Sequence, residues 1–244
     1  MPVNPAFATT IPANTPYYRI TSLSFRTASA AHHRKVVDGQ GAKGNPLGGR
    51  YNYPGAVTVY LADTIEACLA ERMYYFQRGV LQGLDILHIM GAAVAPPFIQ
   101  KFVLWEIEFI KPVAQVCDLS IHASATGLNV LPSLMHNPAQ DYWHLKQRRA
   151  DIQALGYSGI KATSSRSTQG GHVVALFADQ SKNIKNIQAF DVDFRLLRRR
   201  PPPPGPFTNQ ATDVLDFTAG EIQIRGAPSG NASYNGFTRV AFHH

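Results

Sequence analysis

Residues 48–71, GGRYNYPGAVTVYLADTIEACLAE, decide how the rest of the chain is interpreted. Gly48 and Gly49 precede Arg50, and residues 51–55, YNYPG, follow it. This composition predicts a turn in which glycine allows close approach of the backbone. An arginine there is suited to bidentate capture of a phosphate or carboxylate, although a surface arginine in a loop has the same local pattern.

The next residues, 56–63, alternate as in a β-strand. The alternation places apolar side chains on one face and Thr58 and Tyr60 on the other. The apolar side chains are those of Val57, Val59 and Leu61. Tyr60 is therefore interpreted either as a cross-strand core aromatic or as a binding residue close to Arg50.

A helix is predicted directly after this strand, from Thr64 to about Arg78. Asp63 and Glu66 have the spacing of a capping box at its start. Glu71 shares one side of this helix with Ala67, Cys68 and Tyr75. A glutamate on a side with small apolar neighbours is expected to face a polar group in a cleft.

A second polar stretch lies at residues 156–177, GYSGIKATSSRSTQGGHVVALF. Short strands are predicted on both sides of a loop that carries Ser164, Ser165 and Arg166. Serine hydroxyls and backbone amides in a loop after a strand can hold an anionic ligand. A serine-rich surface loop has the same composition.

Strands and helices are mixed along the chain without a regular β-α-β rhythm, so the predicted fold class is α+β with a mixed or mainly antiparallel sheet. Residues 102–109, FVLWEIEF, predict a half-exposed strand with Trp105 on one face and Glu106 on the other. A helix is predicted over residues 138–155, and residues 28–49 are predicted to be a long loop.

Three regions are predicted from proline content and patterning. Residues 1–16 suit an extended N-terminal arm, and residues 17–200 form the main domain. Residues 201–244 begin with four consecutive prolines, which form a stiff spacer, and continue as a short C-terminal tail.

The bulk composition limits the function classes. With 45% hydrophobic residues in 244, the chain can bury a core, and 23 Lys+Arg against 16 Asp+Glu give a formal net charge of +7. The basic residues neither follow one helix nor alternate with aromatics, so a nucleic-acid partner is disfavoured. Cys68 and Cys117 are predicted to be reduced core thiols, and no metal site is predicted. No signal peptide or membrane helix is predicted, so we expect a cytoplasmic protein or an effector exported without a classical signal.

The two quoted blocks together resemble the RES domain. Its first block has a Gly-Gly-Arg-aromatic-Asn turn, an apolar strand that ends near a tyrosine, and a helix with a glutamate. Its second block resembles residues 156–177, and its closing segment resembles residues 190–197, FDVDFRLL. The resemblance covers roughly residues 17–200. Tyr51 stands where the family usually has tryptophan, which keeps an aromatic ring.

The resemblance implies an ADP-ribosyltransferase-like fold and a toxin of a toxin–antitoxin pair that consumes NAD. Catalytic roles would fall on Glu71, Arg50 and Tyr60. Glu71 would hold the ribose and stabilise the cation that develops at its C1, Arg50 would grip phosphate, and Tyr60 would stack on nicotinamide. The substrate-binding set would be Arg50, Tyr51, Tyr60, Ser164, Ser165 and Arg166, with Ser164 as the family serine or Ser165 if the register shifts by one.

Three functions follow from these observations. The first is NAD cleavage at the nicotinamide–ribose bond, with water or inorganic phosphate as co-substrate and no other cofactor. The second is mono-ADP-ribosylation of a protein or nucleic acid. The third is a non-enzymatic module that binds an acidic partner or nucleic acid through its positive charge. For the first, the resemblance also implies a neutralising antitoxin or immunity protein.

Overall fold

The computed structural model describes residues 4–23, 33–43, 49–73, 99–128, 130, 143–199, 214–229, 236 and 238–241. Ten strands within these ranges form one sheet. They are β1 (Ala8–Ile11), β2 (Tyr17–Ser22), β3 (Val59–Ala62), β4 (Ile99–Phe109), β5 (Val113–Asp118), β6 (Gly159–Thr163), β7 (His172–Leu176), β8 (Ile184–Arg199), β9 (Val214–Arg225) and β10 (Thr238–Ala241).

The strand order is β1-β5-β6-β7-β3-β2-β4-β8-β9-β10. Strands β5 and β6 pair in parallel, and every other neighbouring pair is antiparallel. Strand β3 lies between β7 and β2 near the middle of the sheet, with Ala62 opposite Val173 of β7. The strand end after Ala62 is therefore close to the residues that precede β7.

The sheet is buried on both faces. One face carries the cluster that includes Val59, Leu61 and Trp105. The other face is divided between a cluster around helix residues 65–73 and a cluster around helix residues 143–154. Burial on both faces explains why several strands are almost continuously apolar.

Within the described residues, four α-helical segments accompany the sheet: α1 (Gln40–Lys43), α2 (described over residues 65–73), α3 (His122–Gly127) and α4 (Trp143–Ala154). The prediction of an α+β fold with a mixed sheet is confirmed. Among the described residues, no helix is long and apolar enough to cross a membrane.

One predicted loop was wrong in part, and one predicted helix is confirmed over the residues that the structure describes. The predicted loop over residues 28–49 contains a 3-10 helix, Arg34–Val37, and the helix α1, because Val36 and Val37 are buried against the sheet. The predicted helix over residues 138–155 is described from Trp143 to Ala154, and residues 138–142 lie outside the described part.

Strand β4 is not half-exposed as predicted. Trp105 is fully buried on one face, and Glu106 on the opposite face is only 3% exposed. The Glu106 carboxylate accepts hydrogen bonds from the Ser229 backbone N–H at 2.6 Å and from its hydroxyl at 2.7 Å. A period-two pattern indicates the face of a residue but cannot show that a distant segment covers its charge.

The terminal regions contribute strands to the same sheet. Within residues 1–16, β1 pairs with β5. Within residues 201–244, β9 pairs with β8 over nine positions, from Asp191↔Arg225 to Arg199↔Val214, and β10 pairs with β9. The boundary near residue 200 as a division between domain and tail stays a prediction.

Candidate active site

The Gly-rich stretch before β3 forms a tight turn, Gly49–Asn52, which we call the arginine turn. A two-residue bridge joins Gly49 to Asn52, and the Gly49 N–H also donates to Asn52 Oδ1 at 2.9 Å. A Cβ at position 49 would lie 2.6 Å from that oxygen and 2.7 Å from the Tyr60 hydroxyl oxygen. A side chain there would have to displace both groups, and the turn places Arg50 at its tip with 5% of its surface exposed.

The Tyr60 side chain of β3 fixes the arginine turn through two hydrogen bonds. Its hydroxyl donates to Asn52 Oδ1 at 2.7 Å and accepts from the Tyr51 backbone N–H at 2.8 Å. Burial raises the pKa of the Tyr60 hydroxyl far above its ordinary value, so the group stays a neutral donor and acceptor. The predicted faces of β3 are correct, since Val59 and Leu61 lie in one cluster and Tyr60 packs against another.

Helix α2 carries Glu71 two turns from its start. The N-cap is Thr64, whose Oγ1 accepts from the Ala67 N–H at 3.2 Å. The predicted capping box with Asp63 at the N-cap was therefore wrong by one residue, because the Asp63 carboxylate is bound elsewhere. Cys68 is buried, as predicted for a core thiol, and Ala67 beside it is also buried, while Tyr75 lies outside the described residues.

The structure brings Arg50, Glu71 and Ser164 together. Arg50 Nη2 lies 3.4 Å from Glu71 Oε2, and the Ser164 hydroxyl donates to Glu71 Oε1 at 3.0 Å. Each carboxylate oxygen thus has one partner, a guanidinium from the arginine turn or a hydroxyl from the loop after β6. The Glu71 side chain remains 17% exposed, so a ligand can reach it. The expectation that Glu71 faces a polar group agrees with these contacts, and the cleft stays a prediction.

Residues 164–171, which we call the serine loop, hold Ser164 in a defined orientation. The Ser164 oxygen accepts from the backbone N–H groups of Arg166 at 3.4 Å and Ser167 at 3.3 Å, which leaves its own proton for Glu71. The base of the loop is closed by the Ser164 N–H, which donates to the Gly171 carbonyl at 2.9 Å. Ser164 is therefore the serine that contacts Glu71.

The other predicted binding residues, Tyr51, Ser165 and Arg166, are all buried. Tyr51 is 1% exposed and packs in the core between the sheet and α4. Ser165 is 8% exposed, and its hydroxyl has no hydrogen-bond partner among the described residues. Arg166 is 1% exposed. Their roles in substrate binding stay predictions.

Sequence reasoning did not assign a role to the pair Asp63 and His172. Asp63 Oδ1 accepts from the His172 backbone N–H at 2.6 Å, and Asp63 Oδ2 lies 2.7 Å from His172 Nδ1. The two residues are 109 positions apart, so no local pattern could join them. Asn52 was also missed, although its place in the Gly-Gly-Arg turn was a usable signal.

Arg149 of α4 is a further buried cation close to Tyr60. Its guanidinium lies over the Phe177 ring at 4.7 Å from the centroid, and the residue is 8% exposed. Burial lowers the pKa of this guanidinium, and the nearby Tyr60 hydroxyl acts in the opposite direction. The sequence showed only a local density of basic residues around this position.

Chemically, the site combines one carboxylate with a guanidinium and a hydroxyl donor at the end of the central strands. A carboxylate in this setting can stabilise a developing positive charge or hold sugar hydroxyls, and the guanidinium can bind phosphate. Groups of three or more His, Cys, Asp or Glu side chains that could hold a metal do not occur among the described residues.

The fold and the site define an α+β protein with an Arg–Glu–Ser cluster between a Gly-rich turn, a helix and a Ser-rich loop. The model of the RES domain family matches residues 16–197, and the chain belongs to this family. No curated protein matches the chain.

A solved structure similar to this chain is the crystal structure of the M. tuberculosis MbcT–MbcA toxin–antitoxin complex. The identity is 18% and the TM-score 0.49, with 75% of this chain and 87% of that chain covered.

Proposed function

We propose that this protein is a toxin that degrades NAD by cleaving the bond between nicotinamide and ribose. The observation that carries the proposal is the convergence of Arg50, Glu71 and Ser164, since Glu71 contacts both other residues. Membership of the RES domain family supports the same substrate. The three residues come from separate elements, so their meeting is a property of the fold.

Cleavage of this bond passes through an oxocarbenium-like state at ribose C1, as in glycoside hydrolysis. The Glu71 carboxylate would stabilise that positive charge and hold the ribose hydroxyls. Arg50 would turn from Glu71 toward a phosphate of NAD or toward an attacking inorganic phosphate. Ser164 would keep the Glu71 carboxylate oriented while Arg50 engages the ligand.

The first test is incubation of the purified protein with NAD, with and without inorganic phosphate, followed by mass analysis of the products. Nicotinamide with ADP-ribose would identify water as the acceptor. Nicotinamide with phosphorylated ADP-ribose, formed only when phosphate is present, would identify phosphorolysis. NAD left intact by folded protein under both conditions would contradict the proposal.

Glu71→Ala is expected to reduce NAD cleavage by on the order of a hundredfold or more, because it removes a charge that acts in the transition state. Glu71→Gln is the second variant, because it removes the charge but keeps the volume and a side-chain oxygen that can still accept from Arg50. Glu66→Ala on the same helix is the matched control and should retain activity. Near-normal cleavage by both Glu71 variants would remove Glu71 from the mechanism.

Arg50→Ala is expected to act mainly on affinity. It should raise the KM for NAD, or for phosphate if phosphate is the acceptor, because a bidentate anion contact is lost. Arg50→Lys keeps the charge but not the fork geometry, and should recover only part of the affinity. A KM that is unchanged in Arg50→Ala would show that the arginine does not anchor the ligand.

A neutralising antitoxin is part of the proposal, as is a cytoplasmic site of action. The formal charge of +7 would suit an acidic segment of such a partner. Expression of the wild-type chain should arrest bacterial growth, whereas Glu71→Gln should not. Equal growth arrest by the two chains would separate toxicity from NAD cleavage.

A further inference from the structure

We infer that Asp63 and His172 form a positioning pair that holds Ser164 against Glu71, an inference that rests on the proposed function. Among the described residues, the side-chain hydrogen bonds of Asp63 and His172 join these two residues to each other and not to Arg50, Glu71 or Ser164. Their importance comes from where they lie in the chain. Asp63 immediately precedes the N-cap of α2, and His172 immediately follows the serine loop.

The pair is bidentate and joins main chain to side chain. Both Asp63 oxygens bind His172, one at the backbone N–H and the other at Nδ1. An ionised carboxylate only accepts hydrogen bonds, so His172 Nδ1 is the donor in this contact. The Asp63 N–H also donates to the His172 carbonyl at 3.1 Å. Three hydrogen bonds thus fix the relative position of these two residues.

The serine loop also packs directly on the first turn of α2. Gly171 has φ of +91°, and a Cβ there would lie 2.5 Å from Thr64 Oγ1 and 2.9 Å from the Ala67 Cβ. The Gly171 carbonyl accepts from the Ser164 N–H, so its position is transmitted to Ser164 at the other end of the loop. Glu71 lies one turn beyond Ala67 on the same helix.

The start of α2 and the end of the serine loop are therefore held together. Their functional side chains, Glu71 and Ser164, meet further along these two elements. The Ser164–Glu71 hydrogen bond is 3.0 Å long, and a displacement of the loop by about 1 Å would break it. Both partners of the pair are partly exposed, His172 to 31% and Asp63 to 28%, so the pair is expected to set geometry more than global stability. Arg50 belongs to a separate turn that Tyr60 fixes, and it should stay in place when the pair is broken.

The test uses His172→Ala, which removes Nδ1, and His172→Asn, whose side-chain N–H can occupy the same position. In His172→Ala, kcat for NAD cleavage should fall by on the order of tenfold to a hundredfold, with KM for NAD close to that of the wild type. Amide hydrogen exchange of residues 164–171 should become faster, while that of the arginine turn stays the same. His172→Asn should restore both kcat and slow exchange.

Asp118→Ala is the matched control. Asp118 accepts from the Ser120 N–H at 3.0 Å and lies 3.7 Å from Lys161 Nζ, so its loss breaks a similar strand-end pair that includes neither Asp63 nor His172. It should change neither kcat nor exchange in residues 164–171. A kcat of His172→Ala like that of the wild type, an equal change in kcat and KM, or a failure of His172→Asn to restore kcat would overturn the inference.

Failure of the proposed function gives a different result. If the wild-type protein leaves NAD intact, the reaction assigned to the site is wrong, and the exchange measurement still tests the pair by itself. Unchanged exchange of residues 164–171 in His172→Ala would then overturn the clamp.

Discussion

The Tyr60 hydroxyl connects the sheet to the arginine turn, and this contact separates two roles for the residue. Stacking on nicotinamide, as the family resemblance implies, requires only the ring. Tyr60→Phe keeps the ring but leaves the Tyr51 N–H without its acceptor and Asn52 Oδ1 without one donor. We expect a loss of about 1–3 kcal/mol in stability and a higher KM for NAD, since Arg50 lies in the same turn.

Tyr157→Phe is the control for this change. The Tyr157 hydroxyl donates to the Asn4 carbonyl at 3.1 Å, far along the chain from the arginine turn. This variant should lose stability, measured by denaturant unfolding, with no change in KM. An unchanged KM in Tyr60→Phe would instead favour a role of the ring alone.

Buried tyrosine and cysteine side chains predict the response to alkaline pH. Burial raises the pKa of Tyr17 and of Tyr18 from 10.0 to about 12, and that of Cys117 from 9.0 to about 12. Their contribution to stability is therefore complete below pH 9.0 and is lost as the pH rises toward about 12. Tm should fall across this window, and less steeply in Tyr17→Phe, which removes one titrating group. Parallel curves for the two proteins would contradict the assignment to Tyr17.

At the scale of elements, the arginine turn depends on glycine at one position. Gly49→Ala would place a methyl group against both the Asn52 side chain and the Tyr60 hydroxyl, and something must shift. We expect the turn to open and NAD cleavage to fall at least as much as in Arg50→Ala, because overpacking of a tight site commonly costs about 1–3 kcal/mol. Gly236→Ala, where no atom of the described residues lies within 4 Å of the added Cβ, should behave as wild type. Full activity of Gly49→Ala would show that the turn is adaptable.

The same elements show what a sequence can and cannot predict. The turn, strand and helix of residues 48–71 were predicted because each depends on neighbours a few positions away: glycine spacing, alternation and helical periodicity. The N-cap was missed by one residue because Asp63 binds a histidine 109 positions away. The burial of Glu106 was missed for the same reason, since its partner Ser229 is 123 positions away.

At the scale of the whole molecule, the sheet extends beyond the residues that the family model matches. That match ends at residue 197, while β9 continues the sheet beside β8. Beyond β9, the Ser229 N–H donates to the Glu106 carboxylate of β4. The Tyr18 hydroxyl also donates to the Ser229 carbonyl at 2.7 Å. Ser229 therefore binds both β2 and β4, which are central to the sheet.

Truncation after residue 199 tests whether residues 200–244 are an integral part of the fold. The shortened chain would expose the hydrogen-bonding edge of β8, remove Ile222 and Ile224 from the core, and leave Glu106 buried without its Ser229 donors. We expect a lower Tm and self-association, because an uncovered strand edge pairs with other chains. Truncation after residue 229 is the control, since it keeps β9 and Ser229 and should be less affected. A monomer of unchanged Tm after the longer deletion would show that residues 200–244 are a separate tail, as proline content alone predicts.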